Sequence, residues 1–323
     1  IPNFFPAGMV PSALNNLPST ADVHVIGGQA TFVDIAMLLY ENGHTGRLIS
    51  LTRNAAMLTT KGNRDVCDIA ATHRLTEKLA NEYKEKTLSF AEAKFNFWQS
   101  YRQAATDPID PNNIPGPKAS LSYQLAKYKN AAQNNNQTGN VDELRAFVMN
   151  FYFSPGYKIL WEKLKDEDKK LFQDYFYSFF FAYLTGITPL SAQVMLTLYE
   201  RNVVIEKQGL TAIEYDSAKK RFIIHFKTGE REEAEYLIDS SGCGYDISKP
   251  NPHFPLLLNV VKKGYLVPMQ WGGIELNEMG QSFNKRRELQ SNLINIGPVA
   301  SYCRPAPTAY ASFIAVAAVK KAI

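Results

Sequence analysis

The chain has 323 residues, of which 45% are hydrophobic and 20% charged, and its formal net charge is +4. That much apolar content over this length buries a substantial core and fits two domains, or one domain with a large insertion. The positive excess is small and spread along the chain, which argues against nucleic-acid binding.

Residues 1–22 open with Ile1-Pro2-Asn3-Phe4-Phe5-Pro6-Ala7-Gly8 and continue rich in Pro, Ser and Asn, so they read as a lead-in or linker. They have neither the basic start nor the long apolar stretch of a signal peptide, and a cytoplasmic location is the expectation. From Val23 the pattern changes. Val23-His24-Val25-Ile26 is a short apolar strand, Gly27-Gly28 a turn, Gln29 to Gly43 an amphipathic helix, and Arg47 to Arg53 a second strand. This is the layout of a dinucleotide-binding βαβ unit. A glycine turn lets the backbone approach a pyrophosphate, and the N–H groups at the helix start hold the negative charge. The second strand selects the nucleotide, because an acid there pairs with a ribose 2′-hydroxyl whereas arginine accepts a 2′-phosphate. It ends in Thr52-Arg53, which favours NADP(H) over NAD(H). Gln29 and Phe32 stand where the G-x-G-x-x-G fingerprint has its second and third glycines, so a tight strand-to-helix turn in an ordinary parallel sheet is the competing reading.

Helical spacing runs from Asp65 to Arg102, through Leu75, Leu79, Tyr83, Phe90, Phe95 and Trp98, and stops before Asp107-Pro108-Ile109-Asp110-Pro111 and Pro115-Gly116-Pro117. It resumes from Val141 to Leu184, with Phe147, Phe151, Leu160, Trp161, Leu164, Leu171, Tyr175 and Phe179. The aromatic richness reads as an apolar seam packed on the sheet, with a substrate pocket as the alternative. The most membrane-like stretch, Phe172 to Ile187, contains Gln173, Asp174 and tyrosines and is too short and polar to span, so no membrane association is expected. Lys84 to Lys86 and Lys169-Lys170 sit among carboxylates as solvated helix faces do, and Asn136-Gln137-Thr138 belongs to an Asn-rich loop.

Short paired strands follow: Val203 to Glu206, Ile213 to Tyr215, Arg221 to Lys227, a turn at Thr228-Gly229, and Arg231 to Tyr236. Leu237-Ile238-Asp239-Ser240-Ser241 leads into the small-residue turn Gly242-Cys243-Gly244, and Asn292 to Ile296 leads into Gly297-Pro298. An Ala-rich helix spans Thr308 to Lys321. The three cysteines, Cys67, Cys243 and Cys303, form no C-x-x-C or metal spacing, which argues against a dithiol reductase and against zinc. Cys243 reads as a small buried thiol. His24 reads as a hydrogen-bonded core histidine, and His44, His73, His225 and His253 form no spaced pair. With no G-x-S-x-G and no H-E-x-x-H, no side chain stands out as acid, base, nucleophile or metal ligand. That silence fits cofactor chemistry and a non-enzyme equally.

Val-Ile-Gly-Gly-Gln-Ala-Thr-Phe-Val-Asp, with Asn42-Gly43-His44-Thr45-Gly46 and Leu51-Thr52-Arg53 behind it, resembles the FAD/NAD(P)-binding oxidoreductase family related to flavin-dependent monooxygenases. Thr31, Val33 and Asp34 match the family's Gly-Thr-Gly-Leu-Thr-Met-Val-Asp pattern in register. The likeness continues through Leu160 to Leu164, Ile238 to Gly242 and Ile296 to Pro298, while about Lys61 to Gly139 matches only in being helical. It implies FAD and NADP as cofactors and a small-molecule substrate. Gly27, Gly28, Gln29, Ala30 and Thr31 would hold the NADPH pyrophosphate, Thr52 and Arg53 the 2′-phosphate, and Gly242, Gly297 and Pro298 would lie beside the flavin.

The family's opening FAD-binding strand-turn-helix has no counterpart here, so the chain reads as the C-terminal part of a longer protein, or as one subunit of a split enzyme whose FAD-binding segment is a separate chain. The expected fold is α/β: a Rossmann-like NAD(P)-binding domain over residues 23–236 with a helical insertion at about 61–200, then the closing strands and helix of a second, FAD-binding Rossmann-like domain over 237–323. A scaffold that kept the fold and lost the cofactor is the alternative, supported by Gln29. A methyltransferase-like domain is a weaker third, since its second strand should end in an acid.

Overall fold

The computed structural model describes residues 1–6, 14, 17–54, 58–60, 69–110, 117–133, 143–172, 179, 182–183, 186–241, 255–269, 273–277 and 280–294. Two compact units share the chain: Ile1–Asp68, Ala104–Met149 and Phe176–Cys243 form the first, and Ile69–Gln103, Asn150–Tyr175 and Gly244–Ile323 the second. These boundaries differ from 23–236 and 237–323, because the chain enters the second unit within the helical insertion and returns.

The first unit is built on a five-stranded parallel sheet in the order β1-β8-β2-β3-β4. Its strands are β1 (Phe4–Phe5), β2 (Val23–Ile26), β3 (Leu48–Thr52), β4 (Val204–Gln208) and β8 (Tyr236–Asp239). Helix α1 (Ala30–Glu41) carries the chain from β2 to β3. It ends at Gly43, whose positive φ allows His44 N–H to reach the Leu39 carbonyl at 2.9 Å. The long excursion between β3 and β4 is helical, as expected: α2 (Ile69–Glu82), α3 (Phe90–Ala104), α4 (Pro117–Gln133), α5 (Glu143–Phe153), α6 (Pro155–Lys163), α7 (Asp166–Phe172) and α8 (Pro189–Glu200). Thr188 caps α8 by accepting from Ser191 N at 3.1 Å, with Pro189 at its first position.

Alternation along the strands divides the core in two. Val23 and Val25 of β2, Leu48 of β3 and Val204 of β4 face α1, α4 and α8, where they meet Phe32, Ile35, Leu121, Met195 and Leu198. On the opposite face Ile49, Leu51 and Leu237 meet Phe222, Ile224 and Phe226 from a three-stranded antiparallel layer, β5 (Leu210–Asp216), β6 (Arg221–Phe226) and β7 (Arg231–Ala234). Helices, parallel sheet and antiparallel layer therefore stack as a sandwich around β2. This is an α/β, Rossmann-like architecture with a helical insertion.

Three details depart from the sequence expectation. Arg231 to Tyr236 is not one strand: Ala234 is buried in the antiparallel layer, Glu235 receives Arg221 at 2.5 Å, and Tyr236 begins β8 in the other sheet. The lead-in is not only a connection, since Phe4–Phe5 pairs with Leu237 and Ile238, and Phe4 packs on Phe222 with ring centroids 6.2 Å apart. Leu237 to Asp239, expected to close a second sheet, lies between β1 and β2 in the first, because its apolar residues fill both core faces there.

In the second unit, α3 starts with a capping box: Glu92 accepts from Ser89 N at 2.8 Å and Ser89 Oγ accepts from Glu92 N at 3.3 Å. Phe97, Trp98, Phe151, Tyr157, Trp161 and Phe172 are buried, and neighbouring rings pack with centroids 5.3 to 6.1 Å apart. The aromatic seam is thus helix-to-helix core rather than a layer against the sheet. Helix α9 (Pro255–Lys262) rests Leu257, Val260 and Val261 on Leu266 and Ile274. Leu293, expected in a closing strand of a second Rossmann-like domain, belongs to an antiparallel pair, β9 (Gln281–Phe283) with β10 (Leu289–Ile294). The expected helix from Thr308, the sequon, the three cysteines and His253 lie outside the described residues.

At the amino edge of the sheet Asp22 accepts from Arg47 N and Nε, both at 2.9 Å, and this bonding holds its carboxyl below the usual carboxylate range. Between them Gly46 is in such close contact with the Ala21 carbonyl that any Cβ would overlap the oxygen. Gly46→Ala should therefore cost roughly 3 kcal/mol, the upper end for overpacking, measured by urea unfolding. A loss within a few tenths of wild type would show that this edge is soft.

Candidate functional site

In a parallel sheet, ligands favour the carboxyl ends of the strands where successive connections leave in opposite directions. That point here is β2: the chain goes one way to β3 and β4 and later returns to the other side as β8. The Gly27-Gly28 turn stands there, tied to both neighbours. Gly27 N donates to the Leu51 carbonyl at 2.9 Å, and Ser50 Oγ donates to the Gly27 carbonyl at 3.0 Å. From the other side Ser240 N and Oγ donate to the Ile26 carbonyl at 2.9 and 2.7 Å.

Gly27 adopts φ +112°, and a Cβ on it would lie 2.8 Å from Ser240 Oγ and 3.1 Å from the Ser240 carbonyl oxygen. Glycine is thus demanded by both the dihedral and the neighbour. Gln29 follows as the N-cap of α1 in extended conformation and makes no capping side-chain bond. The first turn of α1 has no acidic residue, so its partial positive charge meets no carboxylate locally. Phe32, in the place of the fingerprint's third glycine, is fully buried in the helix-side core, whereas Thr31 beside it is exposed.

The register Ile26↔Leu51 brings the end of β3 alongside this turn. Thr52 pairs with Gln208 of β4, and its Oγ1 is shielded from solvent without a hydrogen-bond partner. Arg53 is exposed and has no ion pair among the described residues. On the β8 side Asp239 Oδ1 accepts from Ser241 N at 2.9 Å and Ser241 Oγ at 2.6 Å, closing the rim. Further down, Tyr199 of α8 donates to Glu206 Oε1 on β4 at 2.8 Å; burial pushes the carboxyl up and the phenol well above its usual range.

The structure thus gathers Gly27, Gly28, Gln29, Ala30, Thr31, Thr52 and Arg53 along one edge, while Gly242, Gly297 and Pro298 lie outside the described residues. Sequence reasoning missed Ser50, Ser240, Asp239 and Ser241. The available signal was Ser50 itself, a polar residue inside the apolar run Leu48-Ile49-Ser50-Leu51. Among the described residues no three His, Cys, Asp or Glu side chains are grouped to hold a metal, and no helix is long and apolar enough to cross a membrane.

No family model matches the chain, and no curated protein matches it. Among solved structures, it is similar to an ornithine hydroxylase (PvdA) from Pseudomonas aeruginosa at 9% identity and TM-score 0.43, covering 98% of this chain and 54% of that one. An ornithine N-hydroxylase from Kutzneria sp. 744, KtzI, solved with reduced FAD, NADP+ and L-ornithine, gives 10% identity and TM-score 0.42, over 99% of this chain and 59% of that one. An L-lysine 6-monooxygenase from Pseudomonas syringae gives 14% and 0.40, over 98% and 59%. The chain spans little more than half the length of each of these proteins.

Gly27→Ala should lower stability by about 2 kcal/mol, the middle of the range for a strained backbone, and Ser240→Gly in the same chain should restore only part of it, because φ stays positive. Full restoration in chemical unfolding would mean that the Ser240 hydroxyl alone excludes the methyl group.

Proposed function

We propose that the carboxyl edge of β2 and β3 binds NADPH, and that the chain serves an FAD-dependent, NADPH-using oxidoreductase of monooxygenase type acting on a small molecule. The observation that carries the reading is the convergence at one sheet edge of an anchored glycine turn, a helix start without a side-chain cap bond, a hydroxyl on Thr52 without a hydrogen-bond partner and an exposed Arg53 with no ion pair among the described residues. These groups fit the nucleotide. Gly27 and Gly28 would shape the turn that brings the helix start to the pyrophosphate, the first N–H groups of α1 would hold its charge, and Arg53 would accept the 2′-phosphate beside the Thr52 hydroxyl. Bound there, NADPH supplies a hydride donor for flavin reduction. The chain's own part is to fix the nucleotide's orientation, with Ser50 and Ser240 keeping the turn rigid beneath it. The flavin's neighbours in this reading are Gly242, Gly297 and Pro298.

The second reading, a binding or scaffold module without cofactor, is favoured by Gln29, whose side chain stands where the fingerprint has no side chain at all. The visible spectrum separates the two: a yellow preparation supports the enzyme, and a colourless one that ignores NADPH supports the scaffold.

NADPH should bind more tightly than NADH, and Arg53→Ala should weaken NADPH about tenfold while leaving NADH unchanged. A charged hydrogen bond contributes roughly 1.5–3 kcal/mol, and exposure of Arg53 to salt places the effect at the lower end. Calorimetric titration reads both; equal affinities for the two nucleotides in the wild type would remove the role assigned to Arg53.

A further inference from the structure

The sheet face under β5–β7 is hydrocarbon around one polar cluster. His24 of β2 is 4% exposed, and its Nε2 stands 3.4 Å from Glu232 Oε1 of β7 in a contact too poorly aligned to be a hydrogen bond. Its Nδ1 has no hydrogen-bond partner either. Lys207 of β4 places Nζ 2.8 Å from Glu232 Oε2 and 3.8 Å from Glu230. The other elements around the ring present apolar groups: Ile49 and Leu51 from β3, Leu237 from β8, and Phe222, Ile224 and Phe226 from β6. The remaining charge acting on it is Asp22, just before β2, itself held by Arg47. Arg231 and Glu233 flank Glu232 on β7 and alternate to its other side.

We propose that His24 is a proton-operated latch between the β5–β7 layer and the strand that delivers the glycine turn. Neutral, the ring is a tolerable core group and Glu232 remains with Lys207. Protonated, the imidazolium is a charge that water does not reach, set against a Glu232 oxygen with which it is poorly aligned and whose carboxylate Lys207 already neutralises, so the layer's hold on β2 weakens. His24 lies three residues before Gly27, and the slackening reaches the turn. That last consequence rests on the NADPH reading; the latch does not.

The direction in pH follows from burial. Burial is the largest influence on the ring and lowers it below its ordinary value of 6.5, against Glu232 and Asp22, which raise it. The folded protein therefore binds fewer protons than the unfolded chain in the window under 6.5, and stability that is full above that value falls as pH drops through the window.

The test uses the full chain without nucleotide. Thermal unfolding from about pH 7.5 to about pH 5.5 should lower the wild-type Tm by roughly 3 °C more than that of His24→Gln. By NMR, the His24 ring should titrate below its ordinary value of 6.5, and lower still in Glu232→Gln. Coincident Tm profiles, a His24 midpoint at or above 6.5, or a midpoint indifferent to Glu232→Gln would each overturn the latch. Loss of NADPH binding alone would bear on the nucleotide site and leave these readouts intact.

Discussion

The peptide between Ile26 and Gly28 is gripped from both sides, and the rest of the carboxyl edge takes its place from that grip. Both carbonyls at the end of β2 are accounted for, Ile26 by Ser240 and Gly27 by Ser50, and the Gly27 amide by Leu51. An unpaired buried backbone group costs as much as a lost hydrogen bond, so these partners leave the turn little freedom. The positive φ of Gly27 is then imposed by its neighbours, and α1 must start where it does.

The same strand is held on its two faces by different chemistry. Toward α1 and α8, β2 offers Val23 and Val25 to an apolar cluster, which is non-directional and tolerant. Toward β5–β7 it offers His24 and Ile26, and there a directional group with a charge partner sits inside the hydrocarbon. Replacing such a buried polar cluster by hydrocarbon is often neutral or stabilising. Its presence directly upstream of the glycine turn is therefore better explained by responsiveness than by strength.

Much of this was legible in the sequence. The βαβ unit from Val23 to Arg53 declares itself because period and glycine placement are local, and the paired strands from Leu210 to Ala234 show the same clarity, whereas Val204 to Gln208, read as one of that set, pairs with β3 in the parallel sheet. What escaped depends on partners distant in sequence. Nothing in Leu237 to Asp239 says that the strand pairs with β2 rather than with a second sheet, since an apolar strand suits either. Two phenylalanines in a Pro-rich lead-in are too short a run to register as β1. Ser50 interrupts an apolar run, but Ser240 looks like an ordinary small residue until the turn it binds is seen, and the partner of His24 arrives only with β7.

If the edge binds NADPH as proposed, magnitudes decide which of its features would govern nucleotide choice. An uncapped helix start contributes about 0.3–1 kcal/mol toward an anion near its first turn, and it treats any pyrophosphate alike. A guanidinium meeting a 2′-phosphate contributes roughly 1.5–3 kcal/mol and only for the phosphorylated carrier. Replacing the second glycine by Gln29 weakens the first contribution, because a side chain stands where the backbone would approach the pyrophosphate most closely. It leaves the second untouched, since Arg53 is on β3. In the proposed NADPH reading the substitution would therefore lower affinity for both nicotinamide nucleotides while preserving the preference between them. In that reading discrimination would reside in β3, and the turn of β2 would supply position.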